Sequence, residues 1–126
     1  MNANGHESED AVIDAAIGAA YEVANVLGPG FLEKLYERAL TRELGLRGLR
    51  VTSQVSFPVE YEGHCVDSYA DLVVEHQVLV ELKCADSFSS EHLAQCINYL
   101  KASGLRLALL INFQKPKVEW KRVIFG

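Results

Sequence analysis

The chain is 126 residues long, 49% hydrophobic and 23% charged, with a formal net charge of −5. A length of this order suits one domain, which buries roughly two-thirds of the surface its unfolded chain would expose. No apolar run approaches the ~18 residues of a membrane span, and the acidic balance argues against the broad basic surface on which sequence-indifferent duplex binding rests, so any nucleic-acid surface must be local.

Residues 1–7 show no periodicity and are expected to be a disordered tail ahead of one domain over 8–126. Met1 to Asp10 is polar and acidic, without the basic start and apolar core of a secretory signal, so a cytoplasmic protein is expected. Cys65, Cys84 and Cys96 are odd in number and in no metal-ligand spacing, which favours reduced thiols.

From Ser8, a capping residue, Val12, Ala16, Ala19, Val23 and Val26 recur at helical spacing, and Gly28 closes this first helix. Pro29 suits the first position of a second helix, which carries Leu32, Leu35, Tyr36, Ala39, Leu40 and Leu44 inward. Val51, Ser53, Val55, Phe57, Val59 and Tyr61 share one parity, the period of a strand with one buried face, and Pro58 fits an edge. Glu62-Gly63-His64 turns into a second strand over 65–74, and Glu75-His76-Gln77 turns into a third over 78–83. Ser87 to Ser90 can cap a third helix whose stripe is Leu93, Cys96, Ile97 and Leu100, with Gly104 as its stop. Residues 105–113 form a nearly continuous apolar run, the mark of a buried strand that a crossover would place parallel to the third, and residues 118–125 alternate as an edge strand. The expected fold is α/β, a mixed sheet flanked by helices in the order α-α-β-β-β-α-β-β.

Three ionisable residues interrupt the apolar strands: Asp71, Glu81 and Lys83. An unpaired buried charge costs several kcal/mol, on the order of the effective desolvation penalty per ion, so these groups require partners, either one another or a metal. Period-two geometry places Glu81 and Lys83 on one sheet face, which Asp71 joins if the second strand is in register. Two carboxylates are oxygen donors of the kind that hold a hard divalent cation. A structural ion pair, Glu81 with Lys83 or Asp71 with an arginine, would account for the same residues.

Asp71 followed by Glu81-Leu82-Lys83 resembles the D…(D/E)-x-K signature of the PD-(D/E)XK nuclease superfamily. Leu27-Gly28-Pro29-Gly30-Phe31-Leu32-Glu33-Lys34-Leu35-Tyr36, the Q-x-x-x-Y spacing of Gln95 and Tyr99, and Leu109–Phe113 make it similar to the GxxExxY proteins, a small branch of that superfamily. The resemblance runs from about Ile13 to Ile124. It implies a restriction-endonuclease-like fold and a Mg²⁺- or Mn²⁺-dependent nuclease acting on DNA or RNA. Asp71, Glu81, Glu33 and the Leu82 carbonyl would face the metal, Lys83 would orient the attacking water, and Gln95 and Tyr99 would position substrate or lysine. The alternative is a catalytically silent module of this fold that binds nucleic acid or protein, as a homodimer or within a larger complex.

Overall fold

The computed structural model describes residues 5–126, so residues 1–4 of the expected tail lie outside the described residues. The elements are α1 (Gly5–Leu27), α2 (Glu33–Leu46), β1 (Val51–Tyr61), β2 (His64–Val74), β3 (Val78–Lys83), α3 (Ser90–Ser103), β4 (Leu107–Asn112) and β5 (Glu119–Ile124). Helix α1 thus begins at Gly5, upstream of Ser8, and residues 5–7 are helical where a tail was expected. That turn carries no apolar residue, so periodicity, which registers only a core-facing stripe, could not reveal it.

The sheet order is β1-β2-β3-β4-β5. Strands β1, β2 and β3 form an antiparallel meander, β4 returns parallel to β3 through α3, and β5 closes antiparallel to β4. This is the α/β restriction-endonuclease-like arrangement expected from the sequence. Apolar residues cover both faces of the centre. Val78, Val80, Leu82, Leu109 and Ile111 face a core closed by Ile13, Ala16, Ala19, Leu40 and Leu44 of α1 and α2. Leu79, Ala108 and Leu110 face the second core, closed by Cys96, Tyr99 and Leu100 of α3. Burial on two faces explains why Val78–Val80 and Leu107–Ile111 are apolar at every position.

Three expectations need correction. Pro29 does not start α2, which begins at Glu33, because Gly28 and Gly30 adopt left-handed φ values of 71° and 107° that no helix accommodates. The Tyr36 hydroxyl holds that loop, donating to the Gly28 carbonyl at 2.5 Å and accepting from the Phe31 N–H at 3.3 Å, while its ring stacks on Phe113. The buried stripe of α2 is therefore Tyr36, Leu40 and Leu44, with Glu37 beside it; Leu32 is 83% exposed, and Leu35 is exposed as well.

Strand β1 lacks the single buried face its parity predicts. Val51 packs on the first core but Val55 and Phe57 on the second. Between them Gln54 holds φ at 51°, and the register passes from Ser53↔Leu72 to Val55↔Ala70 without a Gln54 pair. One residue in the left-handed region twists a strand enough to exchange its faces, as bulged positions do. The outer β1–β2 hairpin turns towards α3 there, and Phe57 meets Tyr99 at a ring separation of 6.4 Å.

Candidate active site

Strands β2 and β3 pair from Val74↔Val78 to Leu72↔Val80 and then part. One step further, Asp71 and Glu81 replace the missing ladder with side chains. The Asp71 N–H donates to Glu81 Oε2 at 2.8 Å, and the Leu82 N–H donates to Asp71 Oδ2 at 2.8 Å. Each acid is thereby fixed by the backbone of the other's strand. The Lys83 carbonyl accepts from Phe113 N–H on the β4 side at 3.0 Å. Alternate residues of a strand present their backbone groups to opposite neighbours, so the Leu82 carbonyl faces the same opening as Asp71.

The charge of Lys83 reaches both acids without a contact ion pair. Glu81 is 2% exposed. Among the described residues neither acid has a cation within 4.0 Å, so the structural ion pairs that could explain the sequence are not formed. Burial and the neighbouring Asp71 carboxylate push Glu81 up to about 8. Burial raises Asp71 as well, against the hydrogen bond from Leu82 that favours its charged form.

Lys83 projects beside them and donates to Gln95 Oε1 at 2.6 Å, and Gln95 Nε2 donates to the Tyr99 hydroxyl at 3.3 Å. Gln95 and Tyr99 of α3 thus face the charged end of β3. Its helix is fixed by a capping box in which the Ser89 side chain accepts from His92 N–H and the His92 ring accepts from Ser89 N–H, so His92 is a cap.

Glu33 opens α2 at the exposed mouth. Burial first, then the Asp71 carboxylate, raise its carboxyl, while Lys83 and a hydrogen bond from the Cys84 backbone act in the opposite sense. Asp71, Glu81, Lys83, Gln95 and Tyr99 therefore meet, and Glu33 stands at their rim. Among the described residues no three His, Cys, Asp or Glu side chains are grouped as a ready-made metal cage.

Sequence reasoning overlooked Glu37 and Gln54. Glu37 is 6% exposed, its carboxylate oxygens accept from Gln54 Nε2 at 3.2 and 3.1 Å, and its charge contributes to raising Asp71. Its place one turn after Glu33, next to Tyr36, was the available signal. Nothing in the sequence marks Gln54, whose role follows from its backbone conformation.

The family model that matches residues 10–123 is that of the PD-(D/E)XK nuclease superfamily. The chain belongs to this superfamily. No curated protein matches it. Among solved structures, this superfamily member is similar to SSO0001, with a TM-score of 0.58 at 16% identity over 95% of this chain. It spans 60% of that protein's length. It is also similar to the alkaline exonuclease LHK-Exo from Laribacter hongkongensis, with a TM-score of 0.56 at 14% identity, covering 86% of this chain and 68% of that one. At such identities the likeness is one of fold. Among the described residues no helix is long and apolar enough to cross a membrane.

Proposed function

We propose that this PD-(D/E)XK chain is a metal-dependent nuclease that hydrolyses phosphodiester bonds of DNA or RNA, and that it stands in the GxxExxY branch and works in the cytoplasm. The observation that carries the activity is the buried acid pair, Asp71 and Glu81, held by reciprocal backbone hydrogen bonds with no cation in contact, and with Lys83 beside it. The donor set fits Mg²⁺ or Mn²⁺. Such hard ions take oxygen ligands, are content with one or two carboxylates, and fill the remaining positions with water and substrate phosphate. The oxygens not used by the backbone, Asp71 Oδ1 and Glu81 Oε1, and the Leu82 carbonyl would hold the ion, with Glu33 at the rim. When bound, the ion supplies positive charge at the phosphoryl oxygens and acidifies water.

The chain's own groups do the rest. The ammonium of Lys83 has three donors. One is spent on Gln95, which aims the side chain, and two remain for an attacking water and a non-bridging phosphoryl oxygen. Tyr99, donated to by Gln95, fixes which way that amide faces. Attack of water forms a P–O bond and gives up the water's proton to solvent, the bond to the leaving oxygen breaks, and the leaving oxygen takes a proton from solvent.

A second reading is a silent module binding nucleic acid or protein, as a homodimer or part of a larger complex. It is favoured by the raised Glu81 carboxyl, because a protonated acid satisfied by backbone needs no ion for its charge. Cleavage of end-labelled single strands, duplex and RNA in Mg²⁺ or Mn²⁺ separates the two. The expected outcome is wild-type cleavage that falls by at least about a hundredfold in Lys83→Ala and Asp71→Ala while both remain folded. Wild-type protein that cleaves nothing supports the module.

A further inference from the structure

The basic groups visible in the sequence are largely spent on ion pairs. Arg47 pairs with Glu43, Arg50 with Glu75, Lys115 with Glu119 and Arg122 with Asp10. Two other cations, Lys34 and Arg38, lie one helical turn apart on the exposed side of α2, and Lys34 Nζ stands 3.4 Å from Glu37 Oε1. The charge of Lys34 reaches Asp71, where it acts with Lys83 to favour the carboxylate. Arg38 has no carboxylate partner among the described residues.

These two side chains form a ridge between two hollows. On one side a polar groove runs past Glu37, Thr41, Ser53 and Gln54. On the other lies an apolar hollow of about 360 Å³ lined by Phe31, Leu32 and Leu35, near the small end of ligand sites. Phe31 is 45% exposed yet anchored. It meets Tyr36 edge-on at 6.1 Å, its N–H is held by the Tyr36 hydroxyl, and Tyr36 is stacked on Phe113. A fixed aromatic surface next to two cations, in a chain of net charge −5, matches a flat apolar ring linked to anions.

We infer that the Phe31 shelf and the Lys34–Arg38 ridge bind an unpaired stretch of a nucleic acid strand, one base stacking on Phe31 and the adjoining phosphates lying on the two cations. Only an unpaired, unstacked base presents a free π-face; a duplex offers its backbone alone, for which two cations provide little. This rests on the nuclease reading and narrows its substrate to single strands or single-stranded ends, delivered past Glu33 to Asp71 and Glu81.

The test is fluorescence anisotropy with short labelled poly-thymidine, poly-uridine and duplex oligonucleotides in EDTA, where no metal-dependent cleavage occurs. Single strands of either sugar are expected to bind more tightly than duplex. Phe31→Leu, which keeps apolar packing on Tyr36, is expected to weaken single-strand binding about tenfold and leave duplex binding unchanged, with Phe31→Trp restoring it. Lys34→Gln with Arg38→Gln is expected to lower the slope of log affinity against log salt by about 1.4. Equal or tighter duplex binding, no binding of single strands, or a Phe31→Leu variant that binds like wild type would overturn the inference. The two readings fail separately. Single-strand binding that follows Phe31 in a protein that cleaves nothing keeps the shelf and removes the nuclease, and cleavage by a protein indifferent to Phe31 does the reverse.

Discussion

Glu81 is the residue on which the rest of the site depends. Unfolded, its carboxyl loses a proton near its ordinary 4.5, whereas folded it retains the proton to about 8 because it is buried beside Asp71. Between those values the folded chain binds the extra proton. Stability is therefore complete below the unfolded value and falls as pH rises through this window, by an amount of the order of a few kcal/mol. Urea unfolding without divalent ions should show a more stable protein near about pH 5 than near about pH 8, and Glu81→Gln should flatten that contribution. A slope unchanged by Glu81→Gln would place the titrating group elsewhere. The residues that met at the site were legible because their cost is legible: Asp71, Glu81 and Lys83 stand out in apolar strands, where charge is expensive. Glu37 was not, since an acid on a helix looks solvated until the packing angle of that helix is known.

At the scale of elements, the site depends on two interruptions of regular structure. Strands β2 and β3 part after Leu72↔Val80, and β1 changes face at Gln54. Both escape a parity count, which assumes an unbroken pleat, although the elements themselves and their order follow from apolar period and turn residues. The loop before α2 likewise looked like a helix start because Pro29 permits one; the left-handed glycines around it decide otherwise. The Tyr36 hydroxyl clasps that loop and so positions Phe31 and Glu33. Tyr36→Phe keeps the stack on Phe113 and removes both hydroxyl hydrogen bonds, and is expected to cost about 1 kcal/mol of stability in urea unfolding, as net hydrogen bonds do. A variant as stable as wild type would mean that the clasp is replaced by water.

At the scale of the molecule, the restriction-endonuclease-like sheet supplies a rigid centre, buried on both faces, from which acids and lysine project at one parting of strands. Helices α2 and α3 bring Glu33 and Gln95 to it from different sides. If the chain is a nuclease, its acidic site must be neutralised before a polyanion can enter, so cation binding should precede substrate. The direct measurement is calorimetric titration of the wild type with Mn²⁺ near about pH 7 in buffers of different ionisation heat. Because Glu81 holds its proton to about 8, binding should release about one proton per ion, seen as a heat that follows the buffer, and Glu81→Gln should lose both the affinity and the proton. Absence of binding at millimolar Mn²⁺, or binding with no proton released and unchanged in Glu81→Gln, would contradict the assignment of Asp71 and Glu81 as the cation site.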